Sequence, residues 1–349
     1  MNKLNRIWVG AFLGVALLLC GFVGLAVAKA EVVRATLDNG LRVVIVVDHL
    51  APVVSVQVNY LVGSNESPAG FPGTAHALEH MMFRGSPGLT ADQLAAIMAA
   101  MGGDSNADTQ QTVTQYFVTT PVGELEPALH VEAIRMKGVL ATEDLWDKER
   151  GAIEQEVARD LSNPMYVFHT RLLAKMFAGT PFATDALGTK ASFDKTTGAM
   201  LRKFHEQWYG PINAILFIVG DVDPEPTLTK VRHLFTGIPR RPVPERPQAK
   251  LAPLSPASLD METDLSYGLA VIAYRLPGYD SPDYAAGQIL GDVLDSQRAR
   301  LYDLVTEGAA LSAGFSEEER EPATLGYAIA AFPRGGNGKA LVSRLKKIV

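Results

Sequence analysis

The chain has 349 residues, 47% hydrophobic, 8% aromatic and 20% charged, a balance found in globular proteins and foreign to disordered, collagen-like and coiled-coil chains. Its length suits about two domains, each with its own core, and excludes a mini-protein held by cross-links. A formal net charge of -6, made more acidic still if Lys3, Arg6 and Lys29 are removed with a leader, excludes a nucleic-acid backbone as an expected partner.

Lys3 and Arg6 are followed by an apolar run from Ile7 to Val27 and then by Ala28-Lys29-Ala30, the order of a secretory signal and its cleavage site. Residues 1–30 therefore read as a signal peptide, and the protein as exported to the periplasm or the cell exterior. Left uncleaved, residues 7–27 are also long enough to span a bilayer and anchor the chain to a membrane. The only cysteine, Cys20, lies in this run and is preceded by Leu19, where a lipid-modified cysteine needs a small residue. Beyond it there is no thiol, so any metal must be held by His, Asp or Glu.

Strands open the remainder: VVRATL, a turn at Asp38-Asn39-Gly40, LRVVIVV, and VVSVQVNYLV from Val53. Helical periods follow at Ala75 to Phe83 and at Thr90 to Met101, with Thr90 as N-cap, before a strand pair at Asp104–Thr109 and Thr112–Thr119. Helices are expected near Val122–Leu140, Glu143–Leu161, Tyr166–Phe177 and Lys195–Tyr209. The strand AILFIVG and a helix ending before Gly237 close this part. Hairpin-like connections and an excess of helices point to an α+β protein, a mainly antiparallel sheet with helices on one face, and not to a wound βαβ sheet. Residues 31–237 form the expected first domain. Residues 238–257 hold six prolines and read as an extended linker. Residues 258–349 repeat the same style at half the length, with strand YGLAVIAYRL, helices near Asp283–Leu294 and Gln297–Glu307, a strand pair, and a final helix KALVSRLKKIV. That helix has no cap, so the second domain is expected to be partial.

The chemistry gathers at His76-Ala77-Leu78-Glu79-His80. Two imidazoles four residues apart lie on one helix face and can reach one ion, and Glu79 shares that face. This is the inverted zinc-protease pattern, in which the carboxylate is general base toward water at the metal. A third ligand is needed. The helix KERGAIEQEVARD places Glu149, Ala152, Ile153 and Glu156 on one stripe, with Glu154 on the solvated side. Carboxylates on an apolar stripe need a compensating cation, which is either a metal or neighbours such as Lys148, Arg150 and Arg159. His49, His130, His169, His205 and His233 stand singly and read as surface or core residues.

GTAHALEHMMFRGS, together with Glu149 and Glu156 as an E-x6-E helix, resembles the M16 family of zinc metallopeptidases (pitrilysin, insulin-degrading enzyme, mitochondrial processing peptidase), in a smaller bacterial form. GGDSNADTQQTVTQY, FHEQWYGPINAILFIVGDVD and ILGDVLDSQRARLYDLVTEGAALSAGF extend the similarity over most of the chain. The resemblance implies the LuxS/MPP-like metallohydrolase arrangement and one Zn2+ per chain. It implies His76, His80 and Glu156 as ligands, Glu79 as base and Glu149 as a carboxylate behind the ligands. It also implies an edge strand that pairs with the substrate backbone, where Asn106 is the side chain expected to take part; its alternative is a local Asx turn after Ser105. Ala77 departs from the bulky residue usual in the family and should loosen packing behind the helix. The implied activity is hydrolysis of peptides or unfolded polypeptides. In the family a second homologous half closes the chamber, so a homo-dimer or a hetero-dimer with another M16-like chain is expected. Two rival readings are a noncatalytic subunit or peptide-binding protein that completes another chain's chamber, and a zinc-storage site, in which Glu79 would have no purpose.

Overall fold

The computed structural model describes residues 31–246 and 248–349. The expected signal peptide, the apolar run 7–27 and Cys20 lie outside the described residues. Among the described residues no helix is long and apolar enough to cross a membrane.

The first unit begins with a hairpin, β1 (Val32–Thr36) and β2 (Arg42–Val47), joined at the expected Asp38-Asn39-Gly40 turn. Gly40 sits at φ +92°, where a side chain would be strained. The Asn39 amide donates to the carbonyls of Phe235 and Ile238 at 2.8 and 3.0 Å, tying the turn to the end of the unit. There follow β3 (Val53–Tyr60), α1 (Thr74–Met82), the two-residue strands β4 (Gly85–Ser86) and β5 (Leu89–Thr90), and α2 (Ala91–Met101). Thr90 caps α2 in a capping box with Gln93, as the sequence predicts. Next come β6 (Asp104–Thr109), β7 (Thr114–Pro121), α3 (Leu125–Lys137), α4 (Glu143–Leu161), α5 (Pro164–Met176), α6 (Lys190–Phe193), α7 (Gly198–Trp208), β8 (Ala214–Gly220) and α8 (Pro224–Phe235). The single helix expected at Lys195–Tyr209 is shorter. It starts only at Gly198, because Thr197 caps it through Met200 N–H; Gly198 itself abuts Ala141, whose carbonyl oxygen would lie 2.3 Å from an added Cβ.

These strands form one sheet in the order β1-β2-β8-β3-β7-β6. All neighbours run antiparallel except β2 and β8, which are parallel, so the sheet is mainly antiparallel, as expected, with one parallel pair. The cause is that β8, arriving last, inserts between β2 and β3. Val54, Val56, Val58, Tyr60, Leu216 and Ile218 alternate onto the face the helices cover and are fully buried. The opposite face carries Ser55, Gln57, Asn59 and Gln115, partly open to solvent.

Residues 239–246 and 248–266 lie outside regular structure, and the segment is fastened to the first unit at Arg246. Arg246 donates to Glu66 Oε1 at 2.8 Å, to the Leu61 carbonyl at 2.6 Å and to Asn213 Oδ1 at 2.9 Å, and it stacks on Trp208. The second unit comprises β9 (Tyr267–Leu276), α9 (Tyr284–Asp295), α10 (Arg300–Thr306), β10 (Ser312–Glu318), β11 (Thr324–Pro333) and α11 (Gly338–Ile348), with a three-stranded sheet ordered β10-β11-β9. Leu173, Met176, Phe177 and Phe182 of the first unit pack with Ala323 and Leu325 of the second, joining the two.

Candidate metal centre

Helix α1 lies deep in the first unit. Its N-cap, Gly73, has φ +87° and approaches Gly188 so closely that an added Cβ would stand 2.6 Å from the Gly188 Cα. Thr74, Ala75, His76, Ala77, Leu78, Met81 and Met82 are buried, while Glu79 and His80 are half-buried on the side that meets α4 and β6. Ala77 is wholly enclosed in the core, and the helix keeps His76 and His80 one turn apart and edge to face, their ring centroids 4.8 Å from each other.

Helix α4 begins at Thr142, whose hydroxyl accepts from Leu145 N–H, and is held by the Trp146 indole donating to the Thr196 carbonyl at 2.8 Å. Its buried stripe is Trp146, Glu149, Ile153 and Val157. Ala152, expected on that stripe, is exposed, so the stripe is rotated from the one read in the sequence. Glu154, expected on the solvated side, is half-buried and accepts from Lys190 Nζ at 2.8 Å. Glu156 borders the stripe and faces α1.

The structure brings His76, His80 and Glu156 together, with one donor atom of each within 4.8 Å of the others. Glu156 Oε2 is 3.4 Å from His80 Nε2 and 3.7 Å from His76 Nε2. Two donors on one tetrahedral zinc at ~2.0–2.1 Å stand about 3.4 Å apart, so the three groups fit that ion with an open position left over. The far ring nitrogens are occupied. His76 Nδ1 meets the Leu187 carbonyl at 3.0 Å, and a carbonyl only accepts, so this nitrogen carries the proton and leaves the Nε2 lone pair free. His80 Nδ1 donates likewise to Glu149 Oε1 at 2.9 Å. Glu149, only 6% exposed, also accepts from Arg84 Nε. Burial raises the Glu149 carboxyl pKa, but the bonds from His80 and Arg84 outweigh it and hold the group below its ordinary value. Of the cations weighed as alternative partners, Arg159 comes within 3.7 Å of Glu156 Oε1, and Arg150 turns instead to Asp147 and Glu154.

Glu79 sits beside this group. Burial raises its pKa above the usual carboxylate range, opposed by a hydrogen bond from Thr109 and by the two histidines. The Thr109 hydroxyl donates to Glu79 Oε2 at 2.5 Å from the end of β6. That contact was missed in the sequence, as were Arg84 and the Leu187 carbonyl. Thr109 lies in the same edge-strand motif as Asn106, and this shared position is the one signal that could have found it. Asn106 itself is exposed, and its side-chain oxygen accepts only from the neighbouring Ala107 N–H at 2.9 Å. β6 ends the sheet, with β7 on one side and no strand on the other among the described residues.

Known proteins with the same architecture carry the reading further. Residues 42–190 match the Insulinase (Peptidase family M16) domain, and residues 195–338 match the Peptidase M16 inactive domain. The second matched region includes β8, which nonetheless completes the first sheet. The zinc protease PqqE of Helicobacter pylori is 26% identical over 326 residues, covering 89% of this chain and 71% of that protein. A zinc protease of Mycobacterium leprae is 29% identical over 310 residues, covering 87% of this chain and 66% of that one. The chain thus spans about two thirds of the length of these curated relatives. The crystal structure of a protease from Helicobacter pylori superposes with a TM-score of 0.81 at 25% identity, covering 91% of this chain and 79% of that one. The periplasmic protease PqqL of Escherichia coli shares the fold, with a TM-score of 0.75 at 21% identity over 88% of this chain and 36% of that one. With two successive domains of one peptidase family matched, and relatives that are zinc proteases along most of its length, the chain belongs to peptidase family M16.

Proposed function

We propose that the protein is a zinc-dependent metalloendopeptidase that hydrolyses peptides or unfolded polypeptides, with His76, His80 and Glu156 holding one Zn2+ and Glu79 as general base. The observation that carries this reading is the orientation of the two imidazoles. Each has its Nδ1 engaged by an acceptor and its Nε2 free toward Glu156, a donor set with three protein ligands and one open position. When bound, zinc would supply Lewis-acid polarisation of the scissile carbonyl and make water a better nucleophile near neutral pH.

The chain's own residues do the rest. Glu79 takes the proton of the attacking water and passes it to the leaving amine, a task suited to a carboxylate whose pKa burial has raised. Thr109 holds Glu79 Oε2, which leaves the other oxygen as the one to take the proton. Glu149, itself held by Arg84, fixes the His80 ring. The open edge of β6 accepts a substrate backbone as an added strand, with Asn106 beside it.

We assign this chemistry to residues 31–237, with 238–257 as linker and 258–349 as a second domain of the same type. The protein is exported, an assignment supported by the order of charges, apolar run and small residues in 1–30, and it works with a second M16-like half as homo-dimer or hetero-dimer. Cleavage of a mixed peptide library by the full chain, alone and with a candidate partner, before and after treatment with a chelator, tests the proposal. Zinc-restorable cleavage is the expected result. Bound zinc with no cleavage under any pairing would favour the noncatalytic subunit.

A further inference from the structure

Residues 184–188, between α5 and α6, lie against His76, which takes its orientation from this segment. The Leu187 carbonyl accepts from His76 Nδ1 at 3.0 Å, while the Leu187 amide donates to Asp185 Oδ1 at 3.2 Å. The other oxygen of Asp185 accepts from the hydroxyl of Tyr166, which stands on α5. Asp185 thus grips the residue whose carbonyl aims a candidate ligand, and Tyr166 fixes Asp185 to a rigid helix. Gln111 Nε2 adds a separate hold by donating to the Thr184 carbonyl at 2.7 Å. Burial first, and then Asp185 itself, raise the pKa of the Tyr166 phenol, so it remains a protonated donor over the physiological range.

We infer that Asp185 and Tyr166 form a positioning pair for His76, setting zinc affinity through the Leu187 peptide without touching the ion. The inference rests on the metal-centre reading above. A carbonyl that slips by a fraction of an ångström leaves the His76 ring free to rotate about its side-chain torsions, and groups of this kind, once removed from behind a metal ligand, typically cost about 10- to 100-fold in affinity. Asn at position 185 keeps both contacts. Its carbonyl oxygen accepts from Leu187 N–H, and its amide donates to the Tyr166 oxygen, which accepts as well as it donates.

The test is zinc affinity of the full chain, measured by competition with a chromophoric chelator, together with the thermal midpoint of the metal-free protein. Asp185→Ala is expected to bind zinc about tenfold or more weakly with an unchanged metal-free midpoint. Asp185→Asn recovers most of the loss, and Tyr166→Phe, which keeps the ring packing, loses affinity severalfold. Wild-type affinity in both Asp185→Ala and Tyr166→Phe would overturn the inference. So would a loss in Asp185→Ala that tracks a lower midpoint and is not recovered by Asn. Should Asp185→Ala fail to fold, Tyr166→Phe against wild type decides alone. A wild-type chain that binds no zinc would instead overturn the metal-centre reading, so the two failures are distinguishable.

Discussion

The two units share an α+β style but differ in how they use burial. In the first, Trp146, Tyr60, Tyr116, Phe193, Phe204 and Phe235 are wholly enclosed, and Glu149 and His76 are held within the same packing. The second has a three-stranded sheet over a smaller core around Leu301, Leu304, Phe315 and Leu345, and its helix α9 leaves Ile289 65% and Val293 58% exposed. A dense core is what allows carboxylates and imidazoles to be fixed at ligand distance. Groups there keep their hydrogen bonds because no alternative geometry is open to them. The second unit reaches toward the first mainly with side chains. Arg275 donates to the Met176 carbonyl at 2.6 Å, and Arg320 donates to Gln111 Oε1 at 2.9 Å.

The sharpest way to break this contrast is to delete a donor of the first unit. His80→Ala and Glu156→Ala should each leave almost no zinc after dialysis, as elemental analysis of metal per chain would read, because each removes one of the three proposed ligands. Retained stoichiometric zinc in either variant would place the metal elsewhere.

Packing gives the next largest difference. Ile153→Ala, in the core under α4, should cost about 2–5 kcal/mol, whereas Ile289→Ala on the exposed face of α9 should stay within about 0.5 kcal/mol. Urea unfolding followed by the fluorescence of Trp146 and Trp208 measures the first, and equal costs would mean that the two units are packed alike.

His205 sharpens the same point through pH. It is buried, its Nε2 donates to the Arg135 carbonyl at 2.9 Å, and desolvation pushes its pKa down to about 4. Between that value and the ordinary 6.5 the unfolded chain binds the proton and the folded one does not, so stability rises with pH across this window and falls as pH drops through it. The full effect is roughly 3 kcal/mol. His205→Gln, which keeps an N–H donor, should flatten the slope between pH 4 and 6.5 in unfolding experiments.

The smallest expected effect belongs to the edge strand. Thr109→Val keeps the shape and removes the hydroxyl, so turnover should fall about tenfold, in line with a hydrogen bond to a charged group, while zinc content stays constant. Steady-state hydrolysis of a fluorogenic peptide reads it, and unchanged turnover would remove Thr109 from the site.

How much of this was legible in the sequence depends on how far apart the partners lie. His76, Glu79 and His80 share one helix, and Glu149 and Glu156 another, so helical spacing alone selects them. Which helix faces which follows from packing that no local period encodes, whereas Trp146, Ile153 and Val157 stand at helical spacing and already mark the face of α4 that is buried. Thr109, Arg84 and the Leu187 carbonyl reach the site through tertiary approach, the last by a main-chain atom that carries no side-chain identity. For the same reason AILFIVG reads as a strand while its insertion between β2 and β3 does not, since pairing partners are chosen by the whole sheet. The proline-rich segment reads as irregular, and its described residues are. Its fastening by Arg246 depends on Glu66, Leu61 and Asn213, which come together only in the fold.

The central claim is that Glu79 performs chemistry beside a metal that the other groups hold. Glu79→Gln preserves size and helical position, and its amide oxygen still accepts from Thr109, but it cannot take a proton from water. Zinc per chain and peptide turnover, measured on wild type and Glu79→Gln with the same partner present, test this most directly. The account predicts unchanged zinc and turnover lower by roughly 10²- to 10⁴-fold, the contribution of general acid-base assistance. Glu79→Gln cleaving as fast as an active, zinc-loaded wild type would contradict it.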